Sequence, residues 1–503
     1  MVTDWASRRA LLSPDRTAVY DLEQGRGYTY LAMRERTARL AGVLAGMGIG
    51  AGDRVGILAR NGLPHIDLWL LSGYHGTAVA PLNWRLPAAE LLPLAQGAGL
   101  RALYCAQEFW AAGEEIARET GQRLLPLGEP YEQALAGARE LPPAPPEEAD
   151  VAMLLFTGGT TGVAKGVRIT HRQIFWNAVN TVTSWELSAR DVAPVLTPFY
   201  HTGGYHVLTT PLYHAGGTTL LPEGFSAPQA LSAVREHRAS LLFLVPTMFA
   251  SLLAADPRPE DFASVRFAIS GGAACPPYVA ERFGQLGVRF RQGYGLTEVG
   301  PNCFWMPEGA AAAHPGSVGL PVFHLEVRIA GEAGEALPPG SAGELWMRGP
   351  TVADGYDGRP AETAAVFGQD GFCRTGDLAV QDADGFVQIV GRRKEMFISG
   401  GENVYPIEVE AAIYAHPDVL LCAVVGVPHP HWGEVGVAFV QPREGASLAA
   451  GDLLSFLGGR LARYKLPKAV EVLENLPLTG AGKVAKEALR AEYLRRSDAR
   501  EGA

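Results

Sequence analysis

Lysine is scarce in this chain, and its positions are chemically informative. Of 43 basic residues only six are lysines: Lys165, Lys394, Lys465, Lys468, Lys483 and Lys486. An ammonium is a compact point charge on a flexible stem, a role that the planar guanidinium does not duplicate everywhere. Two of the six sit in glycine-rich loops of phosphate-handling composition. Residues 156–167 read FTGGTTGVAKGV, with hydroxyls at Thr157, Thr160 and Thr161, glycines at Gly158, Gly159 and Gly162, and a charge at Lys165. Glycine lets backbone N–H groups close on an anion, and the hydroxyls and ammonium add donors. It is not a P-loop, because Gly166 rather than Ser or Thr follows the lysine. The competing reading is a surface hairpin, although glycine turns seldom carry three threonines and a lysine. The second loop, residues 477–483, reads PLTGAGK and has Lys483 as its one positive charge. Lys465 and Lys468, in YKLPK, read as structural or solvent-facing, with a CoA-phosphate role left open. Lys486 reads most simply as a surface lysine on the last helix. His201, His206 and His214 have neither the spacing nor the cysteine neighbours of a zinc site.

The elements that must position these loops follow from periodicity. Residues 30–44 have helical spacing, RVGILA at 54–59 is a short buried strand, and 68–74 is a helix candidate. Alternating strands and helices over the first 140 residues argue an α/β layer architecture. LPPAPP at 141–146 reads as a stiff linker. A strand at 151–156 feeds the Gly/Thr loop, and further strands are expected at 240–245, 265–270 and 288–292. From 325 to 390 short alternating runs with Gly turns predict a β-rich section. A boundary falls near GRRKE at 391–395, after which Pro406 can open a helix and 420–427 reads as a strand. The expected organisation is therefore α/β: a large N-terminal domain, 1–392, of αβ-layered subdomains plus the β-rich section, then a small α+β domain, 393–503.

Composition narrows the function. A net charge of −10 argues against nucleic-acid or anionic-membrane surfaces. The five cysteines are odd in number and widely spaced, as in a reducing compartment, and the N-terminal residues have no signal-peptide pattern, so a cytoplasmic location is expected. The apolar stretch 241–255 is too short to span a bilayer. A homodimer is left open.

FTGGTTGVAKGV resembles the phosphate loop of the adenylate-forming superfamily of acyl-CoA synthetases, adenylation domains and luciferases. Gly158 stands where that family usually has Ser, and Ala164 where it usually has Pro. The resemblance runs in order through PFYHTGG (198–204), SGGAA (270–274), QGYGLTE (292–298), GELWMRGPTVADGY (343–356), RTGDL (374–378), residues 391–408 and PLTGAGKV (477–484). It implies that ATP, Mg²⁺ and coenzyme A are used. Gly271, Gly272 and Ala273 would form the adenine turn. Gln292, Gly293, Tyr294 and Gly295 would place Tyr294 on adenine, with Thr297 at the α-phosphate and Glu298 on Mg²⁺. Asp377 would bind the ribose, and Arg392 would face the nucleotide. Without the resemblance, Tyr294 reads as an ordinary core aromatic and Asp377 as a turn residue capping its own backbone. Lys394 would be the hinge of a mobile C-terminal domain, and Gly400 and Gly401 would leave room for the pantetheine arm.

The implied chemistry is activation of a carboxylic acid as acyl-AMP, then transfer to a thiol. Two anions must meet, so the site needs concentrated positive charge, which Lys483 and Mg²⁺ would supply. His201, Tyr205, Val245, Met248 and Phe249, with the segments 270–274 and 303–306, would bound the acyl pocket. These segments hold no Arg or Lys to pair a second carboxylate. A medium- or long-chain fatty acid is the expected substrate, with an aryl acid such as a benzoate or cinnamate as the alternative. A stand-alone enzyme loading a carrier protein and a non-catalytic binding protein are the readings from other classes.

Overall fold

The strand Val151–Thr157 carries the chain to the Gly/Thr loop, and Lys165–Thr170 carries it back antiparallel, with Thr157 opposite Lys165. The structure, a computed structural model, describes residues 2–157, 164–480 and 482–501, with side chains described as far as 497. Gly158, Gly159, Thr160, Thr161 and Gly162 lie outside the described residues. This hairpin closes one edge of a six-stranded sheet whose order is Arg123–Pro126, Ala102–Cys105, Arg54–Leu58, Ala78–Pro81, Val151–Thr157, Lys165–Thr170. The other pairings are parallel. Arg54–Leu58 and Ala78–Pro81 read as apolar runs because both of their faces are covered. The expected helices at 30–44 and 68–74 run longer, as Tyr30–Gly46 and Leu63–His75. The 141–146 segment is no free linker: Leu141 O accepts from the Tyr74 hydroxyl and Ala144 N–H donates to Tyr74 O.

A second, three-stranded parallel sheet is built from Leu241–Leu244, Phe267–Ser270 and Phe290–Gln292. A third pairs Arg26–Thr29, Thr17–Asp21, Thr218–Leu221 and Val192–Pro194. The β-rich section is an antiparallel sheet of Glu326–Ala330, Ala342–Arg348, Cys373–Gln381 and Val387–Arg392. The last sheet begins after Arg392. The hairpin Phe397–Ser399/Glu402–Val404 joins the long antiparallel pair Val419–His429/Gly433–Pro442, and Ala469–Val472 adds in parallel. One face of this sheet packs on the helices Pro406–Tyr414 and Ala450–Gly458, the other on Leu489 and Tyr493 of Lys486–Glu501. The molecule is thus an α/β protein with a large multi-sheet N-terminal domain and a small C-terminal one. Among the described residues no helix is long and apolar enough to cross a membrane.

Candidate active site

Three candidate segments leave the carboxyl ends of neighbouring parallel strands, the usual location of a ligand crevice in α/β sheets. Leu241–Leu244 ends at Val245, Phe267–Ser270 at Gly271, and Phe290–Gln292 at Gly293. Gly293 N–H donates to Ser270 O at 2.7 Å, holding the last two side by side. A Cβ on Gly293 would lie 2.9 Å from Ile269 Cγ2, so only glycine fits that crossing. The Gln292 side chain accepts from Cys275 N–H at 3.1 Å and donates to Ala273 O at 3.2 Å, fixing the 270–275 turn from within. Gly272 tops that turn at φ +83°, where an L side chain is strained.

Tyr294, Asp377 and Arg392 form one unit. Asp377 stands opposite Arg392 in the antiparallel sheet. Its Oδ1 is 2.9 Å from Arg392 Nε, and its Oδ2 accepts from the Tyr294 hydroxyl at 2.6 Å. Burial raises the Asp377 carboxyl, with the Arg392 charge opposing. Both carboxylate oxygens are engaged, so a nucleotide ribose at this site must share them. The Tyr294 ring meets the Phe304 edge at 5.7 Å.

Glu298 is positioned by a residue that sequence reasoning passed over. Its Oε1 accepts from the Tyr356 hydroxyl at 2.9 Å, and Lys165 Nζ lies 5.1 Å from the Tyr356 ring centroid. The Tyr356 backbone also forms an isolated antiparallel bridge with Val167 in the strand Lys165–Thr170, so this residue ties the carboxylate and the lysine to that strand. Burial raises the Glu298 carboxyl. A buried carboxylate of that kind is stabilised in its charged form by a cation, which fits Mg²⁺. The Thr297 carbonyl accepts from Gln173 Nε2 at 3.2 Å.

Lys483 arrives from the other domain. Its loop is closed on itself by Thr479 N–H to Lys483 O at 2.6 Å and Lys483 N–H to Thr479 Oγ1 at 3.2 Å. The loop docks on the segments expected to bound the acyl pocket: the Tyr200 hydroxyl donates to Gly480 O at 2.9 Å and the Thr247 hydroxyl to Gly482 O at 2.5 Å. Val245 and Met248 line the contact with Gly482. The lysine stem passes over Gly272, where a Cβ would meet its Cε at 3.1 Å. Burial, then the Arg392 charge, lowers the ammonium to about 8 against the pull of Asp377 and Glu395. His201 is lowered to about 4 by burial and then by Lys483, so it is a neutral ring beside that charge.

Other expected positions fall elsewhere. Tyr205 is fully enclosed, its hydroxyl on His65 O at 3.2 Å and its ring 4.5 Å from Phe199. Phe249 is likewise enclosed, against Phe283 and Phe290. Both are core supports rather than pocket walls; an apolar type and local spacing do not say which side of a segment faces the crevice. Gly400 and Gly401, at φ +63° and +89°, form the exposed two-residue turn of a hairpin, a backbone reason for glycine at both. They stand outside the site in this arrangement. Lys394 lies in a tight turn in which Arg392 O accepts from both Glu395 N–H and Met396 N–H at 3.0 Å. Lys486 is no free surface lysine: its Nζ sits 2.9 Å from Glu395 and 2.8 Å from Glu410. Lys465 pairs with Glu408.

Comparison with known proteins agrees with this geometry. A family model described as AMP-binding enzyme matches residues 6–357, and one described as AMP-binding enzyme C-terminal domain matches 408–483. The chain is similar to a feruloyl-CoA synthase from Amycolatopsis sp, 40% identical over 491 residues, 97% of this chain and 98% of that one. It is 35% identical over 507 residues to an indoleacetate–CoA ligase from Aromatoleum aromaticum, covering 99% of each. Among solved structures, ATP-bound MatB from Rhodopseudomonas palustris superposes with a TM-score of 0.91 at 31% identity, covering 98% of this chain and 99% of that one. O-succinylbenzoate coenzyme A synthetase (MenE) from Bacillus subtilis, in complex with ATP and magnesium ion, gives 0.87 at 28%, covering 96% and 98%.

Proposed function

The chain belongs to the AMP-binding enzyme family and is an AMP-forming acid–CoA ligase, and we propose that the acid it activates is aromatic, of the arylpropenoate or arylacetate type, rather than a fatty acid. Support comes from the full-length likeness to a feruloyl-CoA synthase and an indoleacetate–CoA ligase. The pocket chemistry agrees. Tyr205 and Phe249, expected to line an apolar channel, are packed into the core. The cavity behind the site is small and lined by Gln173, Asn177, Thr202 and His206 as well as apolar groups. A long alkyl chain gains from continuous apolar burial and loses against such groups.

In this reading the observation that carries the mechanism is the docking of the Lys483 loop on Tyr200 and Thr247. That contact is the arrangement for the first step. Lys483 bridges the acid carboxylate and the ATP α-phosphate, offsetting the repulsion of two anions. The Asp377–Tyr294–Arg392 unit holds the nucleotide ribose and base. Glu298, steadied by Tyr356, would hold Mg²⁺, which would supply charge neutralisation at the phosphates. Gly/Thr-loop donors and Lys165 orient the departing pyrophosphate. In the second step residues 393–503 turn as a unit about Lys394, Lys483 withdraws, and the Gly400–Gly401 turn comes to the thiol path. CoA sulfur then attacks the acyl carbonyl and AMP leaves.

A panel of acids with ATP, Mg²⁺ and CoA tests the substrate assignment. Cinnamates, benzoates and indoleacetate should exceed octanoate and palmitate in kcat/KM by about 10-fold or more. The reverse order would return the fatty-acid expectation.

A further inference from the structure

Behind the reacting centre lies a cavity with room for about one water molecule, lined by Gln173, Asn177, Thr202, His206, Gly300 and Pro301 beside two isoleucines. It adjoins the site on two sides. Thr202 follows His201, the ring beside Lys483. Gly300 lies two residues past Glu298, and Gln173 is hydrogen-bonded to the Thr297 carbonyl. The cavity is therefore tied to the site through the neighbours of its lining residues, His201 on one side and Thr297–Glu298 on the other.

Two lining residues each carry a buried polar atom with no partner among the described residues: His206 Nε2 and Gln173 Oε1. Their residues are 3% exposed each, so water outside does not satisfy them. The Gln173 amide orientation is fixed, because Nε2 must face the Thr297 carbonyl, which can only accept. That leaves Oε1 as a pure acceptor. His206 Nδ1 faces the Thr210 hydroxyl at 3.4 Å, leaving Nε2 for the cavity, and burial lowers the imidazole to about 3, so the ring is neutral. The backbone beneath is pinned: His206 O accepts from Asn177 Nδ2 at 2.7 Å and Asn302 Nδ2 at 3.2 Å. An orphaned acceptor and an imidazole nitrogen in a rigid pocket are costly to leave unpaired.

We infer that this cavity is the distal end of the acid subsite, and that His206 and Gln173 together read a hydroxyl at the end of the acid remote from its carboxylate. A hydroxyl donates to Gln173 Oε1 and accepts from His206 Nε2–H in the tautomer that places the proton there. Hydrogen or methyl at that position satisfies neither atom, and an ether oxygen satisfies only the imidazole. None of the cavity-lining residues is charged, so a distal carboxylate or ammonium has no counter-ion.

This inference rests on the aryl-acid reading, and the test separates the two. Steady-state kcat/KM is measured for 4-hydroxycinnamate, cinnamate and octanoate on the wild type and on His206→Phe, His206→Asn and Gln173→Met. The wild type should prefer 4-hydroxycinnamate over cinnamate by about 10-fold or more. His206→Phe and Gln173→Met should bring that ratio close to one, and His206→Asn, which keeps a donor, should restore part of it. A merely structural role would lower both cinnamates together and leave the ratio standing; that result overturns the inference while the aryl reading survives. Should His206→Phe fail to fold, Gln173→Met and His206→Asn decide alone. Turnover of octanoate with neither cinnamate used would sink the aryl reading and this inference with it.

Discussion

The Tyr200 hydroxyl donates to the Gly480 carbonyl at 2.9 Å, joining the PFYHTGG segment to the loop that carries Lys483. Thr247 makes a second such bond, to Gly482. A neutral hydrogen bond contributes about 1 kcal/mol net. Tyr200→Phe and Thr247→Val should each slow acyl-AMP formation about 5-fold, and together more, while thioester formation from supplied acyl-AMP holds or rises. Equal slowing of both steps would mean that the docked loop serves both.

The pH dependence of the first step follows from Lys483. Its ammonium is held at about 8 by burial and by Arg392. In the proposed role the charged form acts, so kcat/KM for adenylation should be flat below pH 7 and fall as pH rises through about 8. His201, at about 4, is neutral over this range and adds no limb. The CoA thiol ionises near ~8.5, as cysteine does, and drives the second step the opposite way. Pyrophosphate exchange followed from pH 6 to 10 checks this; a profile rising through pH 9 would remove the lysine from the rate-determining charge balance.

Lys394, the proposed pivot, sits in a hydrogen-bonded turn. Here Arg392 O accepts from Glu395 and Met396, a helical turn in which Arg393 precedes the substituted position. Proline disfavours helical backbone in the residue before it. Lys394→Pro should therefore lower adenylation by about 10-fold, roughly the 1–2 kcal/mol of a strained turn. Wild-type pyrophosphate exchange in this variant would place the pivot elsewhere.

Lys486 links the turn at Glu395 to Glu410 on the helix Pro406–Tyr414. The two carboxylates raise its ammonium despite burial. Removing it takes from two partly buried carboxylates their shared ammonium, although Glu410 Oε1 still accepts from Val424 N–H and Glu395 still faces Arg392. Lys486→Met should cost about 2–4 kcal/mol, somewhat under the figure for a fully buried pair. Denaturant unfolding followed by tryptophan fluorescence measures it. A loss under about 0.5 kcal/mol, the scale of an exposed pair, would show that the bridge does little.

What could be read from the sequence was local. QGYGLTE and RTGDL pointed to Tyr294 and Asp377 only through the ordered resemblance, since each residue alone reads as a core aromatic or a turn residue; the lysine loop stood out by itself because lysine is scarce. The β-rich section appeared in its alternation, and the late helix in Pro406. What stayed hidden depends on distant partners. Tyr356 meets Glu298 across 58 residues, Lys486 meets Glu395 across 91, and Thr247 meets Gly482 across 235. Facing was equally hidden: Tyr205 and Phe249 turn inward because Phe199 and Phe283 fill the core there.

In the proposed mechanism Lys483 acts in one half-reaction only. The direct measurement is Lys483→Ala assayed in both: acid-dependent pyrophosphate exchange, and conversion of supplied acyl-AMP to acyl-CoA. Loss of a charge that acts in the transition state costs about 10²–10³ in rate. Adenylation should fall by that amount, with thioester formation within about 3-fold of wild type. A comparable fall in both steps, or none in adenylation, would contradict the assignment.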